Sequence, residues 1–302
     1  MPSKRYQPRR YQARHARRVF PVPRSVFIAL GAVALLFVYL LVEPRLLQVE
    51  SRTVITSALS GDVKQLRIVY VSDIHYGSWP YLTQGDVEEL VSRINAQNAD
   101  LVLLGGDYAQ DSGSAIAFFR SLPTIRASYG VYGVMGNHDR TLPESNLALL
   151  RSAMIQSGVT PIVNEVTSVR VGRQDIYLAG LDDVSNGWPD LAGVAAQCRA
   201  SDLVLFLCHD PSIIEEALST PDMNGNKFWF DLGLFGHTHG GQVALLGSLL
   251  GLRHSDGLYT RGWYTPTRST TLLVSQGVGT SVLPFRLGCR PQLHVITIKS
   301  QE

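Results

Sequence analysis

Five short polar blocks, each set straight after an apolar run, constrain this chain more than anything else in it. They are Ser72-Asp73-Ile74-His75, Gly105-Gly106-Asp107, Gly136-Asn137-His138-Asp139, Cys208-His209-Asp210 and Gly236-His237-Thr238-His239. The runs before them are Leu66–Val71, Leu101–Leu104, Val131–Met135, Leu203–Leu207 and Leu232–Phe235. Short apolar runs of this kind read as buried strands, and the polar block after each reads as the loop at its C-terminal end. Ligand-binding groups gather at that end in open α/β sheets, so the five blocks are expected to converge on one site. Five of the eight histidines fall inside them, which scatter would not produce.

Neutral imidazoles, carboxylates and an Asn carbonyl together suit borderline ions such as zinc, manganese or iron. Asp73, His75, Asp107, Asn137, His209, His237 and His239 are seven candidate ligands, too many for one tetrahedral zinc and suited to two metals sharing a bridge. Asp-x-His and Gly-Asp are weak signals alone, and a single His209 after a strand is more often structural. Gly-Asn-His-Asp and Gly-His-Thr-His are more specific. All five blocks in this order resemble the calcineurin-like metallophosphoesterases, whose pattern is D-x-H, G-D, G-N-H-D, a lone His and G-H-x-H. The resemblance implies that Asp73, His75 and His239 hold one metal, that Asn137, His209 and His237 hold the other, and that Asp107 bridges them. It implies that His138, oriented by Asp139, faces the leaving group as a general acid or transition-state stabiliser. The implied reaction is hydrolysis of a phosphate ester or pyrophosphate by metal-bridged hydroxide, with no covalent intermediate.

Ser25 to Val42 is an 18-residue stretch without a charge. At 1.5 Å per residue it would span about 27 Å, enough for a hydrocarbon core. Eight of the 27 basic residues lie in residues 1–24, with no acid among them, so the remaining 19 face 25 acids and the body is mildly acidic. That balance disfavours a nucleic-acid partner. No small-x-small cleavage site follows the apolar stretch, so a retained anchor in the lipid bilayer is expected rather than a removed signal peptide. The flanking charge puts the N-terminus in the cytoplasm and the catalytic body outside it. Arg17-Arg18-Val19-Phe20 is loosely similar to a twin-arginine export signal, from which Pro21 and Val22 depart. The expected organisation is a basic tail over 1–24, an anchor over 25–42, a polar link over 43–65 and a catalytic domain over 66–302.

Val87, Leu90, Val91 and Ile94 recur at helical spacing and predict an amphipathic helix over Thr83–Gln97, capped by Thr83 with Asp86 three residues on. A second helix is expected over Glu144–Gln156, with Leu147, Leu150 and Met154 inward. Val169–Val171 and Ile176–Ala179 read as short strands around a turn at Gly172. Asp182 and Asp183 read as solvated or capping rather than as ligands. Three cysteines allow at most one disulfide, and Cys208 reads as a small core residue. The apolar stretch from Val243 to Leu252 reads as core strands or, with Trp79-Pro80-Tyr81, as an apolar rim for a bilayer or acyl chain.

Toward the C-terminus, Ser275–Ser281 and Leu283–Pro291, with Gly240-Gly241-Gln242 and the Glu43-Pro44 pair, are similar to a membrane-linked bacterial branch of the same family. That branch holds broad phosphodiesterases and enzymes that split UDP-2,3-diacylglucosamine. Strand-helix alternation predicts an α/β or α+β layered domain. The resemblance sharpens this to a four-layer α/β/β/α sandwich of two mixed sheets, with the metals at one end. The expected protein is a single-pass enzyme of the bacterial inner membrane, a dimetal phosphodiesterase or pyrophosphatase acting on a lipid-linked phosphate. An exported phosphodiesterase on a soluble or envelope diester is the alternative, because UDP-2,3-diacylglucosamine is made on the cytoplasmic side. A phosphoprotein phosphatase or a non-catalytic binding module are more distant rivals.

Overall fold

The computed structural model describes residues 23–59, 63–78, 82–141, 144–242, 258–281 and 283–301. The chain divides into two units, Met1–Val38 and Tyr39–Glu302. In the first, helix α1 starts at Arg24 and runs to Val42 with none of its residues buried. Within Arg24–Arg45 an 18-residue window has a mean hydropathy of 2.7, long and apolar enough to cross a membrane. Residues 1–22 of the basic tail, Trp79-Pro80-Tyr81 and Val243–Leu252 lie outside the described residues.

The body is built on two six-stranded mixed sheets. The first runs in the order β1 (Gln48–Thr56), β12 (Gln292–Ser300), β2 (Gln65–Val71), β3 (Leu101–Leu104), β4 (Val131–Gly133), β5 (Val159–Pro161). The second runs β10 (Gly262–Tyr264), β11 (Thr271–Val274), β9 (Leu232–Phe235), β8 (Leu203–Leu207), β7 (Gln174–Gly180), β6 (Glu165–Val171). Strands β2 through β5 are parallel, as are β11, β9, β8 and β7, while β12, β10 and β6 each make an antiparallel pair.

Side-chain alternation explains the layering. Leu66, Ile68 and Tyr70 of β2 and Leu101 and Leu103 of β3 meet Leu203, Leu205 and Leu207 of β8 and Leu232 and Leu234 of β9 between the sheets. Val69, Val71, Val102 and Leu104 point the other way, against α2 (Gln84–Asn95), α3 (Ser112–Ser121) and α4 (Glu144–Gln156). Val204, Phe206 and Phe235 face α5 (Leu191–Ala195) and α6 (Ile214–Ser219) on the far side. Strands buried on both faces are apolar at every position, which is why these runs do not alternate in the sequence. The result is the expected α/β/β/α sandwich.

Helix α2 follows its pattern, with Val87, Leu90, Val91 and Ile94 buried and a reciprocal cap between Thr83 and Asp86. Leu150 and Met154 of α4 are buried and Leu147 packs beside them. The hairpin β6–β7 turns at Gly172, whose φ of 59° suits glycine. The stretch 43–65 is not a link. Glu43 and Pro44 are buried, and β1 pairs in parallel with β12 from Gln48–Gln292 to Thr56–Ser300. Its sequence, QVESRTVIT, reads as polar because an edge strand exposes much of both faces. Helix α3 is likewise absent from the expectations above. It is short, and its start is marked by Asp111, which accepts from the Ser114 amide at 2.9 Å.

Asp231 ties β1 to the second sheet by accepting from Thr56 Oγ1 at 2.6 Å and from the Val204 amide at 3.1 Å. Burial pushes its carboxyl up to about 6. A folded-state value above the unfolded one means that this group's contribution is complete below about pH 4 and is lost as pH rises through about 6. Asp231→Asn should therefore flatten the fall in urea midpoint between pH 4 and pH 7. An unchanged slope would refute this assignment.

Candidate metal centre

All five blocks lie at one end of the sandwich, because each follows a strand of the parallel cores. Asp73 and His75 come after β2, Asp107 after β3, Asn137 to Asp139 after β4, His209 after β8, and His237 and His239 after β9. The chain reverses sharply there. Asp73, His75, Asp107, His237 and His239 have φ of 52°, 50°, 53°, 68° and 48°, in the left-handed region that side chains with a Cβ avoid. Such residues cost on the order of 1–3 kcal/mol each and persist only where their surroundings over-determine them. Here the Asp73 amide donates to the Gly106 carbonyl and the His75 amide to the Asp107 carbonyl, both at 3.0 Å. Two block glycines are needed for close approach. A Cβ on Gly136 would collide with the Asp107 carboxylate, and one on Gly236 with the Asp73 carboxylate.

The side chains converge. One ligand atom from each of Asp73, His75 and His239 lies within 4.8 Å of the others, and the same holds for Asp107, His209 and His237. His75 Nε2 and His239 Nε2 face each other at 3.0 Å. Asp107 Oδ2 stands 3.2 Å from His209 Nε2 and 3.6 Å from His75 Nε2, between the two groups. Asn137 Oδ1 lies 3.0 Å from His237 Nδ1. His209 gives its Nδ1 hydrogen to the Gly105 carbonyl at 2.8 Å, which leaves Nε2 bare and aimed into the cluster. His209 Nε2, Asp73 Oδ2, His75 Nδ1 and His239 Nδ1 are all buried without a hydrogen-bond partner. Buried unpaired acceptors are costly, and His209 Nε2, left so among converging imidazole and carboxylate groups, suits a divalent cation.

The electrostatics of His75 and His239 agree with that fit. Burial holds the His75 imidazole down at about 3, and burial with the nearby His75 depresses His239 well below the usual value, so both rings are neutral and free to ligate. Burial would raise the Asp107 carboxyl, but the charge of His209 beside it holds it below the usual carboxylate range. Burial would lower His209, yet Asp107 and Asp73 raise it.

His138 is half-buried and its ring meets that of His75 edge-on at 4.9 Å. Its ring is not the hydrogen-bond partner of the Asp139 carboxylate. His138 Nδ1 lies 2.9 Å from the Gln110 carbonyl, and its backbone amide donates to Asp107 Oδ1 at 2.9 Å. The Asp139 carboxylate is fully buried and accepts from the amides of Asp107, Tyr108 and Gly136 at 2.8, 3.1 and 2.9 Å, so it fastens the β3 and β4 loops together. Asp182 and Asp183 are buried rather than solvated, and they cap the turn that follows them. All three cysteines are free and buried, Cys208 in the core.

A second support is absent from the sequence reading. Arg286 is completely buried and donates to the carbonyls of Gln276, Gly279 and Cys289. The Gly279 amide in turn donates to the Asp73 carbonyl at 2.7 Å. Cys289 Sγ donates to the His239 carbonyl at 2.9 Å, while the Cys289 amide donates to Glu43 Oε1 at 2.6 Å and the Gly288 amide to Glu43 Oε2 at 3.1 Å. No local signal marks an acid just past an apolar helix as the partner of a loop 245 residues away.

The sequence model of the family described as calcineurin-like phosphoesterase matches residues 66–241. The metallophosphoesterase YkuE of Bacillus subtilis is 30% identical over 265 residues, covering 85% of this chain and 87% of that protein. The phosphodiesterase YaeI of Escherichia coli is 27% identical over 240 residues, covering 77% and 82%. A transmembrane protein with a metallophosphoesterase domain from Danio rerio is 29% identical over 294 residues, covering 91% and 63%.

Manganese or zinc at a hundredfold excess over its dissociation constant should stabilise the fold by about 2.7 kcal/mol. Calorimetry with and without EDTA reads this as a Tm shift, and His209→Ala should lose most of it; a full shift in the variant would sink the assignment. Glu43→Ala should lower Tm by leaving the Gly288 and Cys289 amides unpaired, at about 1–3 kcal/mol for each. Glu43→Gln should recover part of the loss.

Proposed function

This chain belongs to the calcineurin-like phosphoesterase family and is a metal-dependent phosphoric ester hydrolase, and we propose that it is a two-metal phosphodiesterase or pyrophosphatase working on a lipid-linked substrate at a membrane surface. The observation that carries the reading is the position of Asp107, whose Oδ2 lies 3.6 Å from His75 Nε2 and 3.2 Å from His209 Nε2. Asp73, His75 and His239 would hold one divalent ion, and Asn137, His209 and His237 the other, with Asp107 shared. Manganese, zinc and iron all suit this donor set. Two such ions supply charge that polarises a phosphoryl group and lowers the pKa of water.

The protein's own part is orientation and proton handling. With Nδ1–H donating to the Gln110 carbonyl, His138 would need a second hydrogen, on Nε2, to pass to the leaving oxygen, and would be left as the neutral ring. Asp139 acts at one remove, by fixing the turn that carries His138 against Asp107.

The membrane part of the reading rests on α1 and on where the chain joins the body. Glu43, next after α1, is linked through Cys289 to His239, so the apolar segment ends beside the support of a candidate ligand. That tie is what favours a phosphate ester carried by a lipid over a freely dissolved one. Lipid-linked pyrophosphates such as UDP-2,3-diacylglucosamine belong to this class. The second reading, a body outside the cytoplasm of a bacterial inner membrane acting on an envelope phosphodiester, is favoured by the eight basic residues ahead of the span.

Full-length protein in detergent should hydrolyse bis-p-nitrophenyl phosphate with manganese, and faster than p-nitrophenyl phosphate. His138→Ala should lower kcat by about 10²–10⁴ while keeping the metal-dependent Tm shift. A metal-loaded wild type that cleaves neither ester would overturn the catalytic reading. Equal rates on a lipid pyrophosphate in vesicles and on a soluble diester would remove the lipid preference.

A further inference from the structure

The acidic pair after β7 has no part in the chemistry above, yet it is built at some cost. Asp182 and Asp183 are at most 2% exposed. A buried carboxylate is costly without donors, and most of the donors to these two come from a single turn. Asp183 Oδ2 accepts from the amides of Ser185 and Asn186 at 3.0 and 2.6 Å. Asp182 Oδ2 accepts from the Trp188 amide at 2.9 Å and from Arg140 at 2.5 Å, two residues on from His138. The Trp188 carbonyl is held in turn by Asn164 Nδ2 at 2.7 Å. The backbone of Trp188 is therefore fixed on both sides, while its side chain is 78% exposed.

This turn borders the open side of the candidate metal centre. Asp73, His75, Asp107, His209 and His239 are buried, whereas Asn137, His138 and His237 are half-buried, so access is over these three. Asn186 Nδ2 donates to the Asn137 carbonyl at 3.0 Å. Ser185 Oγ donates to Asp210 Oδ2 at 3.3 Å, and that oxygen lies 4.0 Å from His237 Nε2. Residues 185 and 186 thus touch the surroundings of both Asn137 and His237, and the indole stands two residues further along the same rigid turn.

We propose that Trp188 is a specificity-determining residue, an indole platform that packs against the apolar or aromatic ester substituent of the phosphate bound at this site. The proposal rests on the phosphoesterase reading for the phosphate itself. The physical ground is that a large aromatic surface held on a fixed backbone loses little conformational freedom on contact, so it discriminates among substituents with little cost of ordering. A tryptophan that served the fold would bury its ring and pair its Nε1, as Trp229 does with the Ala217 carbonyl at 3.1 Å.

The test compares two non-reacting ligands that share a phosphonate and differ in one substituent, phenylphosphonate and methylphosphonate. Their dissociation constants are measured by titration calorimetry on the manganese-loaded full chain, so that no turnover is needed. In Trp188→Ala, phenylphosphonate should bind about tenfold more weakly, the loss expected when an aromatic platform is removed, while methylphosphonate shifts less than about twofold. Trp188→Phe should restore most of the phenyl preference. Equal weakening of both ligands would mean that the turn only supports the fold, and no weakening of either would mean that the indole stands clear of the substrate. Either result overturns the proposal. A wild type that binds both phosphonates but cleaves no ester would refute the catalytic reading and leave this one standing.

Discussion

Burial on both faces of the central strands is the constraint from which the rest of the molecule follows. β2, β3, β8 and β9 have a sheet on one side and helices on the other, so few polar side chains fit along them. Polar chemistry is pushed to the strand ends, and the parallel strands of both sheets deliver those ends to one rim. The turns there must be abrupt to aim short side chains at a common point. Five left-handed aspartates and histidines are the local cost. Amide-to-carbonyl bonds between neighbouring loops, and the buried Asp139 carboxylate, hold the backbone in that state.

How much of this could be read from the residues depends on how local each cause is. The interior strands were legible because two-sided burial leaves an uninterrupted apolar run, and Leu101–Leu104, Leu203–Leu207 and Leu232–Phe235 end where the runs end. Helix α2 was legible because its stripe and cap both lie within twelve residues. β1 was not, since an edge strand of alternating charge looks like a link until its partner, 244 residues on, is known. The convergence of the blocks follows from sheet logic, but the tasks of individual groups do not. Asp139 sits next to His138 in sequence and serves backbone amides instead. Gln110, which does position that ring, contributes only a carbonyl, for which any residue type would serve.

Three sets of buried polar groups share a purpose, which is to remove freedom from a loop. Arg286 gathers carbonyls from the stretch 276–289, Asp182 and Asp183 pin 185–188, and Glu43 closes over 288–289. In a site assembled wholly from loops, such ties supply the rigidity that the strands supply elsewhere.

The tie at Glu43 also sets a length scale. Only five residues separate α1 from β1, and the first of them is already fastened to the body. Fully extended, the interval could not exceed about 20 Å, and with Glu43 fixed almost none of it is slack. With α1 seated in a bilayer, the body is on a leash too short to sweep the surrounding solution. For a substrate held in the same membrane, encounter would then depend on lateral diffusion and surface density, and for a dissolved one on bulk concentration.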